Sequence, residues 1–197
     1  MSHLRLPGPI SVSILDLRMA LLEILTFPDP RLAKKAKPVD VVTPATTQLI
    51  EDMFETMYEA EGVGLAAPQV GVLERIIVVD CGKREAEEER PLQPKEPYAI
   101  VNPVVVEKDG KLVWEEGCLS VPGYTDEVER AATVRVEGLD KHGNPISIEA
   151  EGLLAVCLQH EIDHLEGVLF VDRLSRLKSS MVKKKLKKRA LEEAATA

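Results

Sequence analysis

The chain is poor in the features that mark several broad protein classes. No apolar run approaches the ~20 consecutive residues that a membrane-spanning helix requires, so the sequence offers no transmembrane segment. Cysteines number three, an odd and small set. That argues against a disulfide scaffold and fits a reducing compartment. Basic residues are outnumbered, 25 Lys and Arg against 33 Asp and Glu, giving a net charge of −8. General nucleic-acid binding, and specific binding to DNA, are disfavoured by that balance. The first residues lack the basic start and uninterrupted apolar centre of a secretory signal, because Pro7, Pro9 and Asp16 intervene. What is present is ordinary for a chain that buries a real core: 197 residues, 45% of them hydrophobic, enough for one domain with tails.

Of only four histidines, two fall in Gln159-His160-Glu161-Ile162-Asp163-His164. Histidines four apart share one face of a helix, one turn from each other, so both imidazoles reach a single metal ion. Glu161 emerges beside that metal, where a general acid/base belongs. Leu153, Leu154, Val156, Cys157, Leu158 and Ile162 surround the motif with apolar side chains. A helix in that setting is buried, and buried His and Glu need partners. An exposed polar helix is the weaker reading.

A catalytic site of this type takes three protein ligands and leaves a position for water. His3 lies in a tail and His142 in the turn Asp140–Asn144. Cys157 is on the helical face of His160 and His164, but lies about 10 Å along the axis from His164; it reads as a small buried residue lining the site. Cys81 follows the apolar run Ile76–Val79 with no motif around it. Cys118 sits in Glu115-Glu116-Gly117-Cys118-Leu119-Ser120, after a glycine that permits close backbone approach. Cys118 is therefore the expected third ligand.

With Gly62-Val63-Gly64-Leu65-Ala66-Ala67-Pro68-Gln69 upstream, these blocks together resemble the peptide deformylase family, from about residue 21 to residue 178. The resemblance implies an α+β fold in which antiparallel sheets pack around a central helix carrying His160–His164, with one helix before it and one after. It implies hydrolysis of the formamide of N-formylmethionyl nascent peptides, with release of formate. Glu161 would move the proton, and Gln69 and the Leu119 N–H would stabilise the oxyanion. Cys118, His160 and His164 would hold one ion per chain, Fe(II) in the cell, with zinc, nickel or cobalt also suited to the donor set. Substrate-binding positions carry over to Gly62, Val63, Gly64, Trp114, Glu116, Gly117, Val156 and Cys157. Trp114 is bulkier than the aliphatic residue often found there. Arg130 matches a family arginine expected to pair with Asp163 or Glu116 behind the ligands; Glu129 stands where a proline often precedes it. Gly123-Tyr124-Thr125 lacks an arginine that some members carry.

Two rivals make distinguishable demands. A metalloprotease with the same helix motif needs a third His or Glu well downstream, and Glu166 is too close. A non-catalytic homologue would be expected to have lost Glu161, Gln69 or a ligand, and all are present.

Other segments read from local pattern. Thr43-Pro44 starts a helix whose stripe Leu49, Ile50, Met53, Phe54, Met57 and Tyr58 is core packing. Strands are expected at 75–80, at 98–107 with a break at Asn102-Pro103, at 133–139 and at 145–149, and a helix from about Gly152 to Leu165 ended by Gly167. Residues 82–97 read as a charged, solvated loop. Residues 1–18 read as an amino-terminal extension, 19–178 as the catalytic domain and 179–197 as a basic helical tail. The resemblance implies that this tail docks on the ribosome, in keeping with its Lys and Arg content. A bacterial cytoplasmic location is expected, with organelle targeting by residues 1–18 left open.

Overall fold

A computed structural model describes residues 20–82 and 97–194. The amino-terminal extension and most of the charged loop lie outside the described residues. The first helix, α1 (Pro44–Glu59), starts as its sequence dictates. Pro44 occupies the first helical position, and Thr43 and Thr46 exchange backbone-to-side-chain hydrogen bonds at 3.3 and 3.2 Å. These satisfy amides that a helix start leaves open. Its inner face buries Ile50, Met53 and Met57 completely.

Five antiparallel strands form the main sheet: β1 (Gly64–Ala66), β2 (Ile76–Val79), β3 (Tyr98–Asp109), β6 (Thr133–Leu139) and β7 (Pro145–Glu151), in that spatial order. A separate ribbon pairs β4 (Leu112–Glu116) with β5 (Asp126–Arg130). The solid apolar run of β2 has a direct cause. Ile76 and Val78 pack with α1 residues, while Ile77 and Val79 point to the opposite cluster. A strand covered on both faces shows no polar alternation.

The expected break at Asn102-Pro103 is a bulge inside one long strand, because register shifts there and pairing with β6 resumes beyond it. Asn102 takes a left-handed conformation (φ 54°). Its amide group bonds both the N–H and the C=O of Val39 at 2.8 Å, replacing ladder bonds that the bulge removes. Opposite it, a Cβ on Gly138 would lie 2.7 Å from Ile100 and 2.9 Å from the Val101 carbonyl, so β6 has a glycine at this crossing.

The second helix, α2 (Gly152–Leu165), packs across the sheet and is buried at nine of its 14 positions, which explains its lack of an amphipathic stripe. After Phe170–Val171, α3 (Arg176–Ala194) runs back over the ribbon end of the molecule. Val182 and Leu186 of α3 join Val121, Val128, Leu169, Phe170 and Tyr124 in a third apolar cluster. The helix thus runs continuously across positions 178 and 179, with a buried residue beyond them.

Candidate metal centre and active site

Two elements converge at one end of α2. His160 and His164 come from the helix, and Cys118 from the turn after β4. Their ligand atoms all lie within 4.8 Å of one another. Cys118 Sγ is 3.3 Å from His164 Nε2. Ligands around a tetrahedral ion with bonds of ~2.0–2.3 Å are themselves a few ångströms apart, so this donor set fits a single divalent metal.

The charges around the trio favour the same occupant. Burial holds the His164 imidazole well below its ordinary pKa, helped by the positive His160 and Arg130, so it stays neutral as a ligand must be. Burial also opposes charge on His160, yet Cys118 and Glu116 raise it well above the ordinary value. A metal ion held by the trio would take the place of that His160 proton.

Behind the trio lies a buried ionic network. Glu116 Oε2 is 2.7 Å from His160 Nδ1, which leaves Nε2 for the metal. Arg130 grips both oxygens of Glu116 at 2.6 and 2.9 Å and reaches Asp163 at 2.5 Å. Burial works against a charged Glu116, but Arg130 and His160 hold its carboxyl down at about 2. Arg130 therefore meets both of the partners expected for it. Glu116, grouped in sequence with the substrate-binding positions, instead has its carboxylate committed to Arg130 and His160. Arg173, which pattern did not single out, closes the far side of Asp163.

Glu161 is 5% exposed, and its Oε2 has no hydrogen-bond partner among the described residues. Burial pushes its carboxyl up to about 7, with His160 pulling the other way. A buried carboxyl with a free oxygen is suited to take and return a proton. Gln69, 1% exposed, accepts from the Ala66 N–H at 2.7 Å. Its amide nitrogen lies 3.1 Å from Ser120 Oγ and 3.6 Å from Cys118 Sγ. The side chain is thereby fixed beside Cys118. Ser120 carried no periodic signal of its own; its place two residues after Cys118 was the available clue.

These groups open on a cavity of about 610 Å³. Gly62, Val63, Gly64, Trp114, Glu116, Gly117, Leu119, Val156 and Cys157 all line it, together with Gln69, His160 and Glu161. Cys157 is not among the close ligand atoms. A hydrogen bond with Cys81 and burial push its thiol up, so it stays protonated and unsuited to a metal. Phe170 stacks on His160 with ring centroids 6.1 Å apart; a lone aromatic ten residues beyond the histidine gave no sequence signal.

An antiparallel α+β fold wrapped around a His-Glu-His helix, with a cysteine brought in from a turn, defines a metal-dependent hydrolase. The polypeptide deformylase model matches residues 21–180, and the chain belongs to that family, whose members remove the formyl group from the N-terminus of new peptides. It is 55% identical over 171 residues to the peptide deformylase of Neisseria meningitidis, covering 87% of this chain and 97% of that one. The Chromobacterium violaceum deformylase is 54% identical over 171 residues, with the same coverage. A solved deformylase from Legionella pneumophila superposes with a TM-score of 0.77 at 50% identity, covering 89% of this chain and 98% of that one. The Ehrlichia chaffeensis deformylase in complex with actinonin gives 0.78 at 44% identity, with coverage of 87% and 98%.

Proposed function

We propose that the cavity beside Cys118, His160 and His164 is where this chain hydrolyses the formamide of N-formylmethionyl nascent peptides. The observation that carries the reading is the buried Glu161 carboxyl, with one oxygen unpartnered among the described residues, next to a cluster of three candidate ligands at the cavity wall. Cys118, His160 and His164 would hold one divalent metal, which supplies Lewis acidity to the formyl oxygen and to a water.

The chain's own residues do the rest. The methionine side chain enters the apolar part of the cavity at Val63, Leu119, Val156 and Cys157, with Trp114 at its exposed edge. Glu161 accepts the proton of the attacking water as oxygen adds to the formyl carbon. Negative charge gathers on the former carbonyl oxygen, where the Gln69 amide and the Leu119 N–H donate to it. Glu161 then returns the proton to the amine nitrogen, the C–N bond breaks, and formate leaves. Glu116, Arg130 and Asp163 hold His160 and the α2 face in place.

Iron(II) is the proposed resident metal, and zinc, nickel and cobalt are alternatives compatible with one thiolate and two imidazoles. The exposed lysines of α3 are proposed to dock on ribosomal RNA, and the cytoplasm is proposed as the place where the enzyme meets nascent chains. Formate release from a formyl-Met peptide, measured before and after chelation and again after metal is restored, tests the reading. Loss and recovery are expected; formate release that a chelator does not touch would overturn it.

A further inference from the structure

We infer that α3 positions the rim of the substrate cavity, so that the carboxy-terminal helix sets substrate affinity as well as any docking role. The inference rests on the deformylase reading of the site. Five consecutive residues, Val121 to Thr125, line the cavity on the side of the Cys118 turn. They belong to neither β4 nor β5, so no ladder of hydrogen bonds holds them. Contacts from α3 reach this rim at three points.

At the first, Arg189 Nη1 donates to the Pro122 carbonyl at 3.2 Å and lies 3.0 Å from where a Cβ on Gly123 would sit. At the second, Lys178 Nζ meets Asp126 Oδ1 at 2.6 Å, while Tyr124 donates its hydroxyl to the other oxygen at 2.5 Å. At the third, Val182 and Leu186 pack in one apolar cluster with Val121 and Tyr124. The Tyr124 ring stacks on Phe170, and Phe170 on His160, each at 6.1 Å. A helix detached from this end would therefore leave the cavity wall without its outer support. The metal trio would be kept, because its ligands come from α2 and the Cys118 turn. Affinity should suffer more than chemistry, since a loose rim must be ordered each time a peptide binds.

The experiment compares full-length protein, a truncation ending at Ser175, Arg189→Ala and Arg189→Lys, all loaded with the same metal. Formate release is followed on a formyl-Met dipeptide and on a formyl-Met tetrapeptide, with metal content and circular dichroism recorded alongside. For the truncation and Arg189→Ala, KM is expected to rise about tenfold, the scale of a lost charge-assisted hydrogen bond. Their kcat should stay within about twofold, and Arg189→Lys should recover much of the loss. Should the truncation fail to fold, Arg189→Ala and its lysine rescue decide. Unchanged KM in a folded, metal-loaded Arg189→Ala protein would overturn the inference. An inactive full-length protein would instead remove the deformylase reading, and this inference with it.

Discussion

Gly64 and Glu161 stand in direct apposition: a Cβ built on Gly64 would lie 2.3 Å from Oε1 of Glu161 and 2.8 Å from its carboxyl carbon. The glycine on the edge strand thus makes room for the Glu161 carboxylate on α2. From sequence, Gly64 reads as a place for a substrate backbone; the structure adds the enzyme's own carboxylate as the group it accommodates. Gly64→Ala is expected to displace that carboxylate and lower kcat by at least about tenfold with the metal retained. Glu161→Gln sets the scale, an expected loss of about 10²–10⁴-fold. Metal analysis with formate release checks both, and full turnover in metal-loaded Gly64→Ala would show that Glu161 has slack.

Cys118→Ala and His164→Ala are expected to abolish stoichiometric metal binding, whereas Cys157→Ala keeps it. The reason is reach: only Cys118 brings its sulfur within the 4.8 Å cluster. Metal content per chain after gel filtration gives the answer, and loss confined to the Cys157 variant would reverse the assignment.

Removing Arg130 takes from two buried carboxylates, Glu116 and Asp163, the cation they share, leaving them His160 and Arg173 respectively. Arg130→Met should therefore cost about 3–5 kcal/mol of stability, the usual penalty for breaking a buried ion pair from one side. Urea unfolding of the metal-loaded protein measures it. A midpoint equal to that of the parent would mean the network is neutral.

Iron(II) held by a thiolate invites oxidation of both metal and sulfur. Iron-loaded protein is expected to lose formate release in air over a time course that nickel-loaded protein survives. Equal durability of the two forms would argue against iron as the resident ion.

Lys184 and Lys185 are exposed on α3, whereas Val182 is buried. Replacing both with glutamate should weaken co-sedimentation with ribosomes, and the parent's affinity should fall steeply with added salt as the gain from releasing counterions shrinks. Equal sedimentation of parent and variant at low salt would leave α3 with its packing role alone.

Local pattern was enough for the elements whose cause is local. Thr43-Pro44 starts α1 because capping needs only neighbouring residues. The spacing of His160 and His164 puts both on one face through helix geometry alone, and Gly152 to Leu165 reads as a helix from its own apolar content. The bulge at Asn102 was legible only as a break, since its remedy is a hydrogen-bond pair with Val39, 63 residues away. The committed Glu116 carboxylate, the fixation of Gln69 by Ser120 and the stack of Phe170 on His160 were hidden for the same reason. Each depends on which distant segments the sheets and α2 bring together, and side-chain partners at that separation leave no periodic trace. Sequence by itself therefore singled out the candidate donors and the candidate acid/base, because their chemistry is written in residue type and spacing. Tertiary structure decided what each one faces: a glycine at Glu161, an arginine across Glu116, and a basic helix packed on the cavity rim through the apolar residues on its inner side.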